Sequence, residues 1–223
     1  REFTMSKVAV ILAGCGVYDG SEIHEAVLTL LHLSQANQDI TVMAPNIDQL
    51  HVINHTNGEV MNESRNVLTE SARISRGPVL NIADANPEDY DAVIIPGGFG
   101  AAKNLCDFAI KGAQGSVNSD VKSFLISFHK LNKPIGAICI APALLALLEI
   151  DIQRNFQLTI GNDVETSEVI KNLGCDHHNR TVSEICVDTK CKLVSTPAYM
   201  LGQNIVDVSN GIEKLVKKVL ELS

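Results

Sequence analysis

Short, continuously apolar runs alternate with helix-length segments along most of the chain, and this alternation constrains its fold most strongly. The runs have the length of strands and contain or end at glycine or proline, as in KVAVILAG (7–14), ITVMAP (40–45) and YDAVIIPGGFG (90–100). Continuous apolar strands are typical of a sheet that is covered on both faces. The alternation therefore predicts βαβ units, and hence an α/β fold with a mostly parallel sheet and helices on both faces.

The second half of the chain continues this pattern and then changes it. Strands are predicted at KPIGAIC (133–139) and QLTIG (157–161), with a helix at 165–174. Two short strands about an Asp-Thr-Lys turn are predicted over 182–197. A closing amphipathic helix is predicted over 200–222, and no repeat or linker divides the chain.

The first predicted helix follows the first strand. Asp19 and Ser21 are candidate N-caps, because both residue types accept hydrogen bonds from the first amides of a helix. The segment EIHEAVLTLLHLSQ follows them. One stripe of this helix consists of Ile23, Val27, Leu30, Leu31 and Ser34. Such a stripe is the usual pattern of a helix that packs one face on the core.

Charge and apolar run length limit the classes of function. The chain has 18 Lys and Arg against 26 Asp and Glu, a net charge of -8, and we expect no nucleic-acid partner. Its apolar runs are too short to span a bilayer and nothing after Met5 resembles a secretory signal, so we expect no membrane partner and a cytoplasmic location. Residues 1–4 are interpreted as an expression scar before a single domain at 5–223.

The cysteines give no sign of a disulfide framework or a zinc site. The six cysteines include no Cys-x-x-Cys pair, and the seven histidines are scattered along the chain. Zinc sites and disulfide frameworks normally show characteristic spacings. We therefore expect free thiols, no metal and no cofactor.

Parallel sheets bind ligands at the carboxyl ends of their strands, and four stretches of this sequence follow predicted strands. They are AGCGVYDGSE (13–22), PGGFGAAKN (96–104), CIAP (139–142) and STPAY (195–199). Cys139 lies where a strand gives way to a leucine-rich helix, whose first amides carry partial positive charge and favour a thiolate. Cys139 is therefore a candidate nucleophile. The alternative is a small buried apolar residue.

The glycines of the PGG segment predict an oxyanion site beside Cys139. Gly97 and Gly98 follow a buried strand, where glycine lets the backbone approach a ligand closely. The amides of Gly98 and Ile140 could together bind the oxyanion that forms when a thiolate attacks a carbonyl. An ordinary glycine turn is the alternative.

Glu22 is the candidate general base for Cys139. It lies at the start of the first predicted helix, at the same end of the sheet, and could share a proton with the thiol. The alternative is a capping role. Asp19 and Glu22 are three residues apart and approximate a capping box, in which the glutamate only satisfies a backbone N–H.

Several long segments, taken together, resemble a known family. They are ILAGCGVYDGSEIHEAV, IIPGGFGAAKNL, ICIAPALL, LTIGNDVETSEVI and STPAYML. From Met5 to Ser223 the chain resembles the ElbB-type glyoxalases, the isoprenoid biosynthesis-associated branch of the ThiJ/PfpI group in the class I glutamine amidotransferase-like superfamily. The resemblance implies a flavodoxin-like three-layer sandwich, a nucleophile elbow at Cys139 with Glu22 as acidic partner, and glutathione-independent conversion of glyoxal to glycolate. It also implies a homodimer.

Departures from the family pattern leave the third catalytic residue open. The segment STPAYMLGQN lacks the histidine and glutamate of true glutamine amidotransferases, which disfavours glutamine hydrolysis. Gly161 stands where many ThiJ/PfpI relatives carry a histidine. His177 is a candidate for the third member of the site, and His24, His55 and His178 are the other histidines considered.

The predicted pocket takes a small dicarbonyl substrate. Cys15, Tyr18, Asn104 and Tyr199 lie in neighbouring loops and could line it, although ordinary loop packing is the alternative. The expected chemistry is attack of the Cys139 thiolate on one aldehyde of glyoxal, then proton transfer between the two carbons and hydrolysis. Two other classes stay open. One is a redox or electrophile sensor in which Cys139 becomes oxidised, and the other is a noncatalytic protein that binds a metabolite or a protein partner.

Overall fold

The computed structural model describes residues 5–223, which form eight helices and nine strands. The strands are β1 (Lys7–Ile11), β2 (Asp39–Ala44), β3 (Leu80–Asn81), β4 (Ala92–Ile95), β5 (Ile135–Ile138), β6 (Gln157–Leu158), β7 (Asp176–His177), β8 (Cys186–Asp188) and β9 (Leu193–Thr196). The helices are α1 (Ile23–Gln35), α2 (Val67–Ser75), α3 (Phe99–Lys103), α4 (Phe108–Lys111), α5 (Ser119–Lys130), α6 (Ala141–Ile152), α7 (Val164–Asn172) and α8 (Ile205–Leu222). The interpretation of residues 1–4 as an expression scar concerns a segment outside the described residues.

A seven-stranded sheet in the order β3-β2-β1-β4-β5-β9-β8 forms the middle layer. All its pairings are parallel except that of β8 with β9. Successive residues of β1 alternate between two cores, Ala9 and Ile11 on the face covered by α5 and α6, Val8 and Val10 on the face covered by α1 and α8. The predicted α/β sandwich with a mostly parallel sheet is confirmed. Within residues 5–223, no helix combines the length and apolarity needed to cross a bilayer.

The predicted strand at 157–161 differs from the structure. Only Gln157 and Leu158 are extended, and they pair with β7 in a separate two-stranded sheet. The next two amides bind side chains instead of a ladder partner: Thr159 donates to Ser195 Oγ at 2.9 Å and Ile160 donates to His177 Nε2 at 3.2 Å. Side-chain acceptors thus replace the strand partner at these two positions.

The cap of α1 is Glu22, not Asp19 or Ser21. The Glu22 carboxylate accepts a hydrogen bond from the amide of Glu25 at 2.7 Å. Asp19 and Ser21 accept amides from outside the helix, those of Ile53 and Ala13 respectively. Asp19 and Ser21 therefore stabilise loop backbone by hydrogen bonds and do not cap the helix.

The predicted apolar stripe of α1 lies on the outer surface. Ile23, Val27 and Leu31 are 42%, 46% and 45% exposed. The buried face of α1 contains Glu25, Ala26, Leu28, Thr29 and Leu33. Of the predicted stripe only Leu30 packs on the core, where it is partly buried, and the expectation is wrong for the other four residues. Two polar residues, Glu25 and Thr29, occupy buried positions that a hydrophobicity pattern assigns to solvent.

Candidate active site

Cys139 lies in the turn between β5 and α6, as the sequence predicted. Its φ is 62°, in the left-handed region, where a residue with a side chain is strained. The backbone amide of Cys139 donates to the carbonyl of Thr196 at 2.9 Å, so β9 holds the turn in place. This conformation projects the side chain from the carboxyl end of the sheet.

Two backbone amides and one carboxyl group surround the Cys139 thiol. The amides of Gly98 and Ile140 lie close enough to the sulfur to lower its pKa, and the Glu25 carboxyl lies beside it and raises that pKa. Gly97 brings the β4–α3 turn against this group. A Cβ at Gly97 would lie only 2.6 Å from Glu25 Oε2, so a larger residue there would displace the carboxyl. The oxyanion role predicted for Gly98 and Ile140 stays a prediction, now with both amides located at the sulfur.

Glu25 is held in one position by the backbone of two loops. It has no exposed surface, its Oε2 accepts the amide of Gly97 at 3.0 Å, and its Oε1 accepts the amide of Tyr199 at 3.1 Å. Burial, and after it the charge of Glu22, raise the pKa of the Glu25 carboxyl to about 8, although the amides of Tyr199 and Gly97 act in the opposite direction. Glu25 therefore carries a proton at neutral pH.

Burial also raises the pKa of the Cys139 thiol well above its ordinary value. The negative charge of Glu25 adds to the rise, while the amides of Gly98 and Ile140 lower the pKa. The sequence predicted that the helix terminus would favour the thiolate. Desolvation of the thiol, which is 7% exposed, outweighs that effect in the structure.

The structure brings Glu25 to Cys139, where the sequence placed Glu22. As the residue that caps α1, Glu22 turns its carboxylate back toward the first turn of the helix and accepts the amide of Glu25. Glu25 is one turn further along, on the face of α1 that packs on the sheet, and therefore reaches the strand ends. Glu22 does cap α1, but as the N-cap itself and not as the later member of a capping box that begins at Asp19. Its role as base is not supported by any contact with Cys139 among residues 5–223.

Tyr199 reaches the site through its backbone. Its amide binds Glu25, and its hydroxyl is hydrogen-bonded to His24 Nδ1 at 2.7 Å. Burial, then the charges of Glu22 and Glu25, raise the pKa of the Tyr199 hydroxyl. Of the histidines considered from the sequence, His24 is the one that joins this network, at its exposed edge.

Asn104 is a structural bridge. Its side chain is buried and is satisfied by two loops: Nδ2 donates to the carbonyls of Ala13 and Asp19 at 2.9 Å, and Oδ1 accepts the amide of Leu50 at 3.0 Å. No polar atom of this side chain is left for a ligand. For Asn104 the alternative of ordinary loop packing describes the structure, and the predicted pocket role does not.

Tyr18 and Cys15 lie in the loop between β1 and α1. Tyr18 is exposed and stacks on His55, with ring centroids 4.9 Å apart. Cys15 is half-buried, and burial raises the pKa of its thiol. Neither residue contacts Cys139 or Glu25 through a hydrogen bond in the described part of the chain, so their pocket roles stay predictions.

The histidine proposed as third member does not join Cys139 and Glu25. His177 is buried in β7, and its Nε2 accepts the amide of Ile160. His178 is paired with Asp176 at 3.1 Å. His51 and His55 have the spacing His-x-x-x-His, yet no three His, Cys, Asp or Glu side chains of residues 5–223 are placed to hold a metal ion. The candidate nucleophile and proton acceptor that the structure brings together are therefore Cys139 and Glu25.

Comparison with known proteins relates this geometry to a family. The sequence model of the DJ-1/PfpI family matches residues 7–195. In a solved structure, an isoprenoid biosynthesis protein with an amidotransferase-like domain from Ehrlichia chaffeensis superposes with a TM-score of 0.91 at 36% identity, covering 97% of this chain and 99% of that one. Drosophila melanogaster DJ-1beta superposes with a TM-score of 0.56 at 18% identity and shares the fold.

Two curated relatives match nearly the whole chain. The ES1 protein homolog, mitochondrial, of Rattus norvegicus is 46% identical over 98% of this chain and 84% of its own length. The human glutamine amidotransferase-like class 1 domain-containing protein 3, mitochondrial, is equally similar, with the same coverage. Both names give a mitochondrial location, and the cytoplasmic location expected from the sequence is therefore wrong.

Proposed function

The chain belongs to the DJ-1/PfpI family, and we propose that it is a cofactor-independent, ElbB-type glyoxalase that converts glyoxal to glycolate. One observation supports this most strongly: the thiol of Cys139, which is carried on a strained backbone, lies beside the fully buried carboxyl of Glu25 and two backbone amides. A nucleophile, an adjacent base and donors for an oxyanion are the groups that thiol attack on a carbonyl requires. The mitochondrial relatives further support a mitochondrial location for this chain.

The reactive form of the pair is a thiol beside a carboxylate. The pKa of Glu25 is about 8 and that of Cys139 is higher, so Glu25 loses its proton first as pH rises. The Glu25 carboxylate then takes the thiol proton as the sulfur attacks one aldehyde carbon of glyoxal. The new oxyanion lies against the amides of Gly98 and Ile140 and receives the proton back from Glu25, which gives a neutral hemithioacetal.

A second proton transfer isomerises the hemithioacetal. Glu25, again a carboxylate, removes the hydrogen from the carbon bound to sulfur, and the electron pair moves toward the second aldehyde to form an enediol. Protonation of the second carbon and loss of the hydroxyl proton from the first give a glycolyl thioester of Cys139. Water then cleaves the C–S bond, so that glyoxal and one water become glycolic acid and the thiol is restored. No external oxidant or reductant enters the balance.

A steady-state assay tests the proposed function. We expect the purified protein to consume glyoxal without added thiol, faster than methylglyoxal, and to leave glutamine intact. Because the base is the unprotonated Glu25, kcat/KM should rise with pH, reach half its maximum near the Glu25 pKa of about 8, and level off above it. Stoichiometric loss of the thiol without continued turnover would contradict the enzyme and favour a sensor.

The sensor alternative has less support from the geometry. Oxidation of cysteine proceeds through an exposed thiolate. Cys139 is 7% exposed and burial raises its pKa, both of which slow that reaction. An enzyme that deprotonates its thiol only during attack is compatible with the same environment.

We propose in addition that the outer stripe of α1 is the surface of a homodimer. Ile23, Val27 and Leu31 are spaced four residues apart and form one exposed apolar line. Leu31→Glu should convert a dimer to a monomer in light scattering after size-exclusion chromatography. Leu131, 41% exposed at the end of α5, is the matched control, and Leu131→Glu should leave the mass unchanged. A monomeric parent, or a dimer that survives Leu31→Glu, would exclude this surface.

A further inference from the structure

A cavity lies near the amino ends of β5 and β9, at the end of the sheet opposite Cys139. It has a volume of about 750 Å³ and is bounded by the ends of α5 and α6 and by the turn between β8 and β9. Its lining includes the basic side chains of Lys130, Arg154 and Lys190, together with His129 and Ile126. The size lies within the range of small-molecule sites in proteins.

The three basic side chains are uncompensated within residues 5–223. No carboxylate lies within ion-pair distance of Lys130, Arg154 or Lys190 in the described part of the chain. The one carboxylate of the lining, Asp151, is already paired with Lys122 at 2.8 Å. Three like charges thus converge on one cavity of a protein whose net charge is -8.

Two features of this region act against an anion, and neither cancels the three positive charges. The first is the pair of helix C-termini. Helices α5 and α6 both end here, and the partial negative charge of their carbonyls accounts for Lys130 and Arg154 as favourable C-terminal residues. It does not account for Lys190, which lies in the β8–β9 turn.

The second feature is a pair of buried carboxylates, Asp188 and Glu149, which lie behind the cavity and do not line it. Asp188 accepts the amides of Gln157, Lys190 and Cys191, each at 3.0 Å, and so has its own donors. Glu149 is buried, and one of its oxygens accepts the amide of Asn155, whereas its Oε2 has no hydrogen-bond partner among residues 5–223. The side chains that line the cavity remain predominantly basic.

From this arrangement we propose that the cavity binds a small polyanion, a molecule with two or more phosphate or carboxylate groups. Guanidinium and ammonium groups are the usual ligands of such groups, and a bound anion would relieve the repulsion among the three cations. The apolar side chains of Ile126 and Ile152 and the ring of His129 would contact its uncharged part. This site is separate from Cys139 and independent of the proposed glyoxalase activity.

Isothermal titration calorimetry at low ionic strength tests the proposal with pyrophosphate and, separately, citrate. We expect saturable binding of at least one, and the one that binds more tightly identifies phosphate or carboxylate as the preferred group. Arg154→Gln and Lys190→Gln should each weaken binding roughly tenfold, as loss of a charge-assisted hydrogen bond does. The double variant should bind more weakly than either.

Matched controls separate the site from the overall charge. Arg76→Gln removes an exposed arginine at the end of α2, near the other edge of the sheet, and should bind like the parent. Cys139→Ser should also bind like the parent, so failure of the glyoxalase proposal would leave this result unaffected. No heat of binding for either anion, or equal weakening by Arg76→Gln and Arg154→Gln, would overturn the proposal. Circular dichroism confirms that each variant is folded.

Discussion

Glu25→Gln is expected to reduce the turnover of glyoxal by about 10²–10⁴-fold, the usual contribution of a general base. Glutamine has nearly the shape of glutamate but cannot accept the thiol proton or return it. Glu22→Gln should keep turnover within a few-fold of the parent. Its side-chain oxygen can still accept the amide of Glu25 as an N-cap, and it makes no hydrogen bond to Cys139.

The two variants form a matched pair, because the same substitution is made one helical turn apart. Steady-state kinetics with glyoxal gives the rates, and Cys139→Ser gives the background. Thermal unfolding of each preparation shows whether the variant is folded. If Glu22→Gln loses turnover while Glu25→Gln keeps it, the base is Glu22, and the contact between Glu25 and Cys139 is structural.

The α/β architecture and the position of the nucleophile could be predicted because their signals are local. Apolar runs such as 7–14 and 90–100 contain strands that are buried on both faces, and these cannot be confused with surface segments. Cys139 is the residue directly between such a run and a helix. A turn of this kind is fixed by the two elements that it joins, so its place at the sheet edge follows from the sequence.

The acidic partner could not be chosen on the same basis. Glu22 and Glu25 are three residues apart in SEIHEAV, and both lie at the correct end of the sheet. The two glutamates differ only in which face of α1 they occupy, and the hydrophobic pattern predicted the wrong face to be buried. Ile23, Val27 and Leu31 form the more apolar stripe, yet Glu25 and Thr29 lie on the buried face.

Glu25 lies on the buried face in place of the more apolar stripe because its carboxyl finds hydrogen-bond donors there. A buried carboxyl is costly unless its oxygens are hydrogen-bonded, and the amides of Gly97 and Tyr199 come from loops distant in sequence. Thr29 is satisfied within the helix, because its hydroxyl donates to the carbonyl of Glu25 at 2.7 Å. Such compensation depends on tertiary structure. The sequence therefore contains no local signal that separates Glu25 from Glu22.

Because of Glu25, the free energy of unfolding of the protein should fall as pH rises. The substitution Glu25→Gln should remove this part of the pH dependence. The folded protein keeps the Glu25 proton up to its pKa of about 8, whereas the unfolded chain releases it near the ordinary value of 4.5. Between these values the folded state binds more protons than the unfolded state. The stabilisation is therefore complete below about 4.5 and is lost as pH rises through about 8. Between pH 5 and pH 8 the loss is roughly 3–4 kcal/mol for a shift of this size.

Urea unfolding of the parent and of Glu25→Gln at pH 5 and pH 8 gives the free energy of unfolding of each protein at each pH. The loss due to Glu25 is the difference between the two proteins in how far this free energy falls from pH 5 to pH 8. Glutamine places an amide nitrogen where Glu25 accepts the N–H of Gly97 or Tyr199, so the variant loses stability equally at every pH. Its free energy of unfolding should nevertheless depend less on pH than that of the parent. Equal pH dependence in the two proteins would mean that Glu25 is already ionised in the folded state at pH 5. The carboxylate would then be too weak a base for the proton transfers assigned to it, and the mechanism would have to begin from a different proton acceptor.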